Sequence, residues 1–373
     1  MYYPAVITRL YVHNFRCLEN FELPISGKSS ALLIGNNGSG KTTVGLALEI
    51  LQRIARGTNR VGDLVKPKDF LGRKGVPMRF EIEVELRGKN YGYSVAFEFS
   101  EGFKEPRILE EKLSVEGNPV YTRELSQVLL VRGGSEAKFN IDWNIAALPI
   151  IQHQSLTDPL LVVRQWLARM LILRPIPPLI SGNSEQETLE PNPQVTDLGA
   201  WFSGLLAHAP SAYTKIDEYL KQIMPDLEDI RNPPAGGDSR RLEVQFTSNP
   251  GPGSLCLSFE DLSDGEKCFM ICALVLAANY AYGPLFCFWD EPDNYLALSE
   301  VRHFVLALRK AFQSGGQFIA TSHNSEAIRR FSEKNTLYLY RKSHLEPTIV
   351  RPLDDLQVSG DLVDALIRGD VEP

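Results

Sequence analysis

"IGNNGSGKTT" (residues 34–43) holds its glycines and its lysine at the spacing Gly35-x-x-x-x-Gly40-Lys41-Thr42, the pattern of a phosphate-binding loop. In such a loop the backbone N–H groups of Asn36, Asn37, Gly38, Ser39 and Gly40 converge on a phosphate chain, because glycine permits the turns that aim them inward. Lys41 would reach the β- and γ-phosphates, and the Thr42 hydroxyl, with Thr43 beside it, would face a Mg²⁺ ion. The flanks agree. Residues 30–34 are a short apolar run that reads as a buried strand, and 42–55 read as a helix with Val44, Leu46, Leu48, Leu51 and Ile54 as its apolar positions. A helix N-terminus favours anions. A glycine-rich turn with an incidental lysine is the plain alternative, and the strand–loop–helix context argues against it.

Working outward, a chain of 373 residues with 43% hydrophobic composition can bury a sizeable core, and one large domain with an inserted subdomain is expected. No apolar run approaches the roughly 20 residues that span a bilayer. The start, Met1-Tyr2-Tyr3-Pro4, lacks the basic and then apolar layout of a signal peptide, so no membrane association and a cytoplasmic location are expected. The five cysteines form no C-x-x-C pair and mostly lie in apolar stretches, which suits reduced core thiols better than disulfides or zinc. The formal charge is 39 − 46 = −7, so any nucleic-acid surface must be a local patch.

Residues 79–99 alternate with period two. Phe80, Ile82, Val84 and Leu86 face one way and Arg79, Glu81, Glu83 and Glu85 the other; a turn at 88–90 follows, then Tyr91, Tyr93, Val95, Phe97 and Phe99. This is a β-hairpin with one wet face, and further strands are expected over 108–115 and 127–131. From 158 to about 224 the pattern turns helical, broken at 181–196 by a polar stretch that reads as a mobile loop. A second hairpin pairs "LEVQF" with "LCLSF". No internal repeat and no sustained heptad occurs, so no long coiled coil is expected.

The second informative half lies at 259–324. "FEDLSDGEKCFMICALVLAANYA" puts Ser263, Asp264, Gly265 and Glu266 at the start of a long apolar helix; alone, that is an ordinary helix cap. Soon after, "LFCFWDEPDNYL" runs an apolar strand into Asp290 and Glu291. The C-terminal edge of a buried strand is where an α/β sheet carries its ligand chemistry. Asp290 would hold Mg²⁺ through water, and Glu291 is placed to polarise an attacking water. The next strand, "QFIATSHN", ends at His323, which reads as a γ-phosphate sensor; a lone strand-end histidine is otherwise usually structural.

The succession "NFR" (residues 14–16), "GNNGSGKT", "LSDGEK", "FWDEP" and "ATSHN" resembles the ATP-binding-cassette ATPases of the RecF, SMC and OLD-like group, common in bacterial DNA repair and phage defence. The resemblance covers roughly 1–155 and 240–345. It implies an α/β fold: a P-loop ABC-ATPase head with a mixed sheet, an antiparallel β lobe and an inserted helical subdomain. The expected domains are lobe I over 1–155, a helical insertion over 156–240, lobe II over 241–345 and a tail with a short helix over 346–373. It further implies ATP and Mg²⁺ as cofactors, sandwiched between two heads of an ATP-dependent homodimer. Catalysis would fall to Glu291, His323 and Lys41, with Thr42, Asp290 and a glutamine on the metal; Gln152 is preferred to Gln154. Ser263, Gly265 and Glu266 would meet the nucleotide held by the other head, and Arg16 would lie near the nucleotide. Two departures stand out. Asp264 replaces a common glycine, and Ala297 stands where many cassettes carry an aspartate, which bears on communication across the dimer.

The resemblance admits DNA and an effector protein, such as a nuclease encoded nearby, as further partners. OLD-type proteins append a nuclease domain, which the tail 346–373 is too short to hold, so cutting is expected from a partner. Arg164, Arg169 and Arg174, with Lys66, Lys68, Arg73 and Lys74, form short basic clusters that read equally as solvated faces or DNA contacts. An ATPase switch is the leading reading. A non-hydrolysing scaffold that uses ATP as glue is the alternative, and a transporter motor fits poorly because Glu266 stands where transporter cassettes generally carry glutamine.

Overall fold

The computed structural model describes residues 5–71, 73, 75–100, 102–248, 253–331, 333–356 and 365. The expected C-terminal helix carrying Leu362, Val363, Leu366 and Ile367 lies outside them, as does Lys74. The chain forms two compact units, Met1–Met170 with Glu333–Pro373, and Leu171–Ser332.

In the first unit eight antiparallel strands lie in the order Phe21–Leu23, Ala5–His13, Met78–Leu86, Lys89–Glu98, Arg107–Val115, Asn118–Glu124, Gln127–Arg132 and Ser135–Asn140. The alternation read from the sequence is physical here: Met78, Phe80, Ile82, Val84 and Leu86 are buried, and the charged residues between them are half-buried. Phe80 packs edge-on against Phe15 and Phe97 at 5.2 and 6.0 Å. The pairings Leu86↔Lys89, Val115↔Asn118 and Arg132↔Ser135 leave loops of two residues, Arg87-Gly88, Glu116-Gly117 and Gly133-Gly134. All six residues have positive φ, as a type I′ turn requires, and that turn matches the twist of the flanking strands. The first turn therefore sits at 87–88, one residue earlier than expected. Strands Asn118–Glu124 and Ser135–Asn140 escape the sequence reading because polar residues interrupt any apolar alternation in both, and Ser135–Asn140 is exposed throughout.

A buried polar hub ties this sheet to the segment that follows it. Glu111 accepts hydrogen bonds from the Tyr93 and Tyr121 hydroxyls at 3.0 and 2.9 Å and from the backbone N–H groups of Ala147 and Leu148 at 2.7 and 2.9 Å. Arg123, equally buried, lies 3.5 Å from Glu111 and donates to the carbonyls of Leu125, Asp142 and Ile145. Burial, with Glu111 alongside, pushes both tyrosine hydroxyls well above their usual range.

In the same unit the strand Ser30–Ile34, buried along its whole length, pairs in parallel with Thr336–Tyr340, which pairs antiparallel with Ile349–Pro352. This is a mixed sheet. The helix Lys41–Ala55 follows the first of these strands and packs on the helix Pro159–Ala168, which Asp158 caps through the Leu160 N–H at 3.0 Å.

The second unit is built on three parallel strands, Leu171–Leu173, Phe286–Trp289 and Gln317–Thr321, every residue of which is buried. Leu171–Leu173 belongs to a stretch read as helical; three consecutive buried apolar residues after a helix end do not reveal their period. Helices Leu198–His208, Ala212–Ile223 and Leu298–Phe312 pack on the helix Asp264–Tyr282, Leu298–Phe312 also lies against Gln317–Thr321, and Leu227–Arg231, Glu243–Thr247 and Ser254–Ser258 make a separate antiparallel sheet. The polar stretch 181–196 is anchored at several points. Ser181 Oγ and the Gly182 N–H donate to Glu260, Asn183–Ser184 pairs with Arg240–Arg241, and Val195 is fully buried.

Four of the five cysteines are buried free thiols and Cys256 is exposed. Burial pushes the Cys268 thiol up to about 12 and raises those of Cys272 and Cys287 well above the usual thiol range. Since the thiolate is the nucleophile, a maleimide at neutral pH should label the folded protein once, at Cys256, and five times after denaturation. Two or more rapid modifications of the folded chain, read by mass, would contradict this packing.

Candidate functional site

The loop between Ile34 and the helix Lys41–Ala55 has Gly35, Gly38 and Gly40 at φ 144°, 78° and 103°. Only glycine enters this region readily, which accounts for the spacing of the motif. Asn36, Asn37, Gly38 and Thr42 are exposed, and Ser39, Gly40 and Lys41 are buried. The Ser39 N–H donates to the Asn36 carbonyl at 3.1 Å, and Lys41 Nζ donates to the Gly35 and Asn36 carbonyls at 2.8 and 3.3 Å. Lys41 is thus folded back over its own loop at the positive end of the helix. Among the described residues Ser39 Oγ is buried without a hydrogen-bond partner, an orphan that suits this loop to a polar ligand. Cys17 Sγ donates to Thr43 Oγ1 at 3.6 Å beneath it.

In the second unit the strand Phe286–Trp289 delivers Asp290 and Glu291 at its C-terminal end. The Asp290 N–H bonds to the Leu173 carbonyl at 2.8 Å, and Thr321 Oγ1 donates to Asp290 Oδ1 at 2.6 Å while accepting the Glu291 N–H at 2.9 Å. One hydroxyl therefore ties the acid pair to the neighbouring strand. Glu291 has φ 50°, a costly conformation for a non-glycine residue and one that recurs at functional sites. Its carboxylate accepts from Asn294 Nδ2 at 2.5 Å on Oε2, and Oε1 lies 3.5 Å from His323 Nε2. Glu291 and His323 are 35% and 42% exposed, open enough to meet a ligand. Behind them Asp293 is buried, accepts from Ser322 Oγ at 2.7 Å and leaves Oδ1 without a partner; burial raises its carboxyl pKa.

Ser263 caps the helix Asp264–Tyr282 in a reciprocal box. Its Oγ accepts the Glu266 N–H at 3.3 Å, and Glu266 Oε2 accepts the Ser263 N–H and hydroxyl at 2.8 and 2.7 Å. Gly265 lies against the Tyr295 carbonyl, which an added Cβ would meet at 3.1 Å. Arg16 is held by Asp69 at 2.9 Å and stacks on Phe15, on the wall of a cleft of about 190 Å³ that Arg53, Lys66 and Lys68 also line. Among the basic residues read from the sequence, Arg73 is spent on Glu19 and the Arg16 carbonyl. Gln152 and Gln154 are both exposed; the Gln152 carbonyl accepts from Arg132, and the Gln154 N–H donates to Asp158 Oδ2 at 2.9 Å.

Asn36 to Thr43 thus come together in one unit, and Asp290, Glu291 and His323 in the other. Sequence reasoning missed Asn294, Thr321 and the Asp293–Ser322 pair. Their one signal was a run of polar residues just past two apolar strands. It also missed Arg341 and Thr348, which reach the loop from more than 300 positions away.

A phosphate-binding loop at a helix N-terminus, with an acid pair and a histidine at the ends of parallel strands, defines an ATP-binding head of the ABC type. The RecF/RecN/SMC N terminal domain model matches residues 6–345, and the chain belongs to that family, whose heads are ATPases. The Chromosome partition protein Smc of Chlorobaculum tepidum is 32% identical over 91 residues, 24% of this chain and 8% of that much longer protein. Two solved structures share the fold. A crystal structure of an Smc head bound to the C-winged helix domain of ScpA has TM-score 0.51 and 16% identity, covering 94% of this chain and 98% of that one. An Smc head with an extended coiled coil, bound to the C-terminal domain of ScpA and derived from Pyrococcus furiosus, has TM-score 0.54 and 13% identity over 94% and 97% of the two chains.

Proposed function

We propose that this chain binds and hydrolyses Mg-ATP, closes as a homodimer when ATP is bound, and passes that change to DNA or to an effector protein in DNA repair or anti-phage defence. The observation that carries the reading is the preformed loop: three positive-φ glycines, Lys41 buried at the helix start and the orphan Ser39 hydroxyl all suit a polyphosphate. Bound Mg-ATP supplies the phosphoryl group to be transferred. Lys41 would turn from its own carbonyls to the phosphates, and Thr42, Asp290 and Gln152 would hold the metal, whose charge would offset that of the phosphates. Glu291, oriented by Asn294, takes the proton of the attacking water, and His323 senses the γ-phosphate. Ser263, Gly265 and Glu266 meet the nucleotide of the second copy, where Ser263 leaves its capping bond to Glu266. Arg16 serves the nucleotide after release from Asp69. The Smc heads bound to ScpA domains make a small protein partner a reasonable companion.

The deciding measurement is phosphate release by the purified protein with Mg-ATP, with and without duplex DNA. Release that vanishes in Lys41→Ala is expected. Tight ATP binding without any release would leave the scaffold reading, which Ala297 keeps open because it stands where many cassettes carry an aspartate. If DNA is bound through local basic clusters, affinity should fall steeply with salt as counterions are released.

A further inference from the structure

We propose that the β-hairpin over residues 336–352 is an external brace that sets the affinity of the phosphate loop, acting through Arg341 and Thr348. This rests on the nucleotide-binding reading and adds residues that no motif contains. The hairpin strands Thr336–Tyr340 and Ile349–Pro352 are joined by residues 341–348, all in the unit that holds the loop. Arg341 Nη1 donates to the Gly38 carbonyl at 3.3 Å, and Thr348 Oγ1, in a residue only 4% exposed, donates to the next carbonyl, Ser39, at 2.9 Å. A trans peptide points its carbonyl and its N–H in opposite directions. Holding the Ser39 carbonyl outward therefore aims the Gly40 N–H into the loop. Holding the Gly38 carbonyl outward keeps the Ser39 N–H in its bond across the turn to Asn36. Without these donors a peptide flip, to which glycine offers little resistance, would turn a carbonyl dipole toward the phosphates.

The rest of the hairpin fits the same role. An added Cβ on Gly35 would come within 1.9 Å of the Leu339 carbonyl, and one on Gly40 within 2.7 Å of Thr348 Oγ1 and 3.0 Å of Cys17 Sγ, so loop and hairpin are in direct contact along its length. Thr348 is itself anchored by its N–H to the Cys17 carbonyl at 2.8 Å. Arg341 is shaped by a fork of three bonds, to the carbonyls of Gly38, His344 (2.6 Å) and Glu346 (2.9 Å). None of these partners is a carboxylate, and among the described residues no acid pairs with this positive charge beside the anion site. A lysine could keep that charge but not the fork.

The test is calorimetric titration of the full chain and of Arg341→Met, Arg341→Lys and Thr348→Val with Mg-ATP, Mg-ADP and inorganic tripolyphosphate. Losing one bond of this kind corresponds to about tenfold in affinity. We expect that loss in all three variants for all three ligands, because the brace acts on the phosphate cradle and not on the base. Ligand-free amide exchange should also quicken in the peptide covering 35–44 while the eight-stranded sheet keeps its protection, which separates loosening of the loop from misfolding. Wild-type affinity in Arg341→Met and Thr348→Val would overturn the brace, and full recovery in Arg341→Lys would reduce Arg341 to a point charge. If the wild-type chain bound none of the three ligands, the nucleotide reading itself would fall, and the brace with it.

Discussion

Glu291→Gln should bind Mg-ATP as tightly as the wild-type chain while phosphate release falls by about 10²- to 10⁴-fold, the range for removing a positioned general base. The substitution is nearly isosteric. A glutamine carbonyl can still accept from Asn294, and φ 50° is equally unfavourable for either residue, so the loss reports basicity more than geometry. With hydrolysis blocked, the variant should accumulate as the closed dimer in sedimentation runs with ATP and Mg²⁺. Two companions should fail differently. Lys41→Ala should lose ATP binding, since it removes the cation at the helix start. Ser263→Arg should bind ATP as a separate head but not close, because a bulky cation replaces the exposed helix cap that would meet the second copy. Near-normal turnover in Glu291→Gln, or no more dimer than in Lys41→Ala, would show that the composite site is wrong for this chain.

The largest effect on stability is expected at Glu111, which belongs to no nucleotide motif. Glu111→Ala removes the acceptor of four hydrogen bonds and strands the buried Arg123 guanidinium. Breaking a buried, hydrogen-bonded charge pair from one side costs about 3–5 kcal/mol. Because Glu111 and Arg123 together hold residues 142–148 against the sheet, that segment should lose amide protection along with the edge strands. Denaturant titration followed by near-ultraviolet circular dichroism would measure the cost. A loss under about 1 kcal/mol, in the range of an exposed pair, would mean that water enters the hub and solvates the arginine. Arg123→Met should cost a comparable amount, and the double variant less than the sum, since each partner's penalty is largely the isolation of the other.

The sequence by itself determined the local elements of this protein. The spacing of Gly35, Gly40, Lys41 and Thr42 encodes a phosphate loop because only glycine accepts the observed φ values. The alternation over 79–99 encodes a half-buried hairpin because side chains on a strand alternate between faces. The acid pair after Trp289 and the histidine after Thr321 were legible because an apolar run ending in polar residues marks a strand end. The same logic misplaced Leu171–Leu173, where three buried residues carry no period, and passed over two strands rich in polar residues. Only the tertiary structure decided what surrounds these elements. Thr321 bridging to Asp290, Arg341 and Thr348 on the loop, and Glu111 collecting donors from residues 147 and 148 are all contacts between segments whose sequence distance says nothing about their meeting. Backbone propensity and hydrophobic period act over a few residues. The orientation of a carboxylate or of a peptide plane is set by whichever donor the folded chain brings within about 3 Å, the reach of a hydrogen bond.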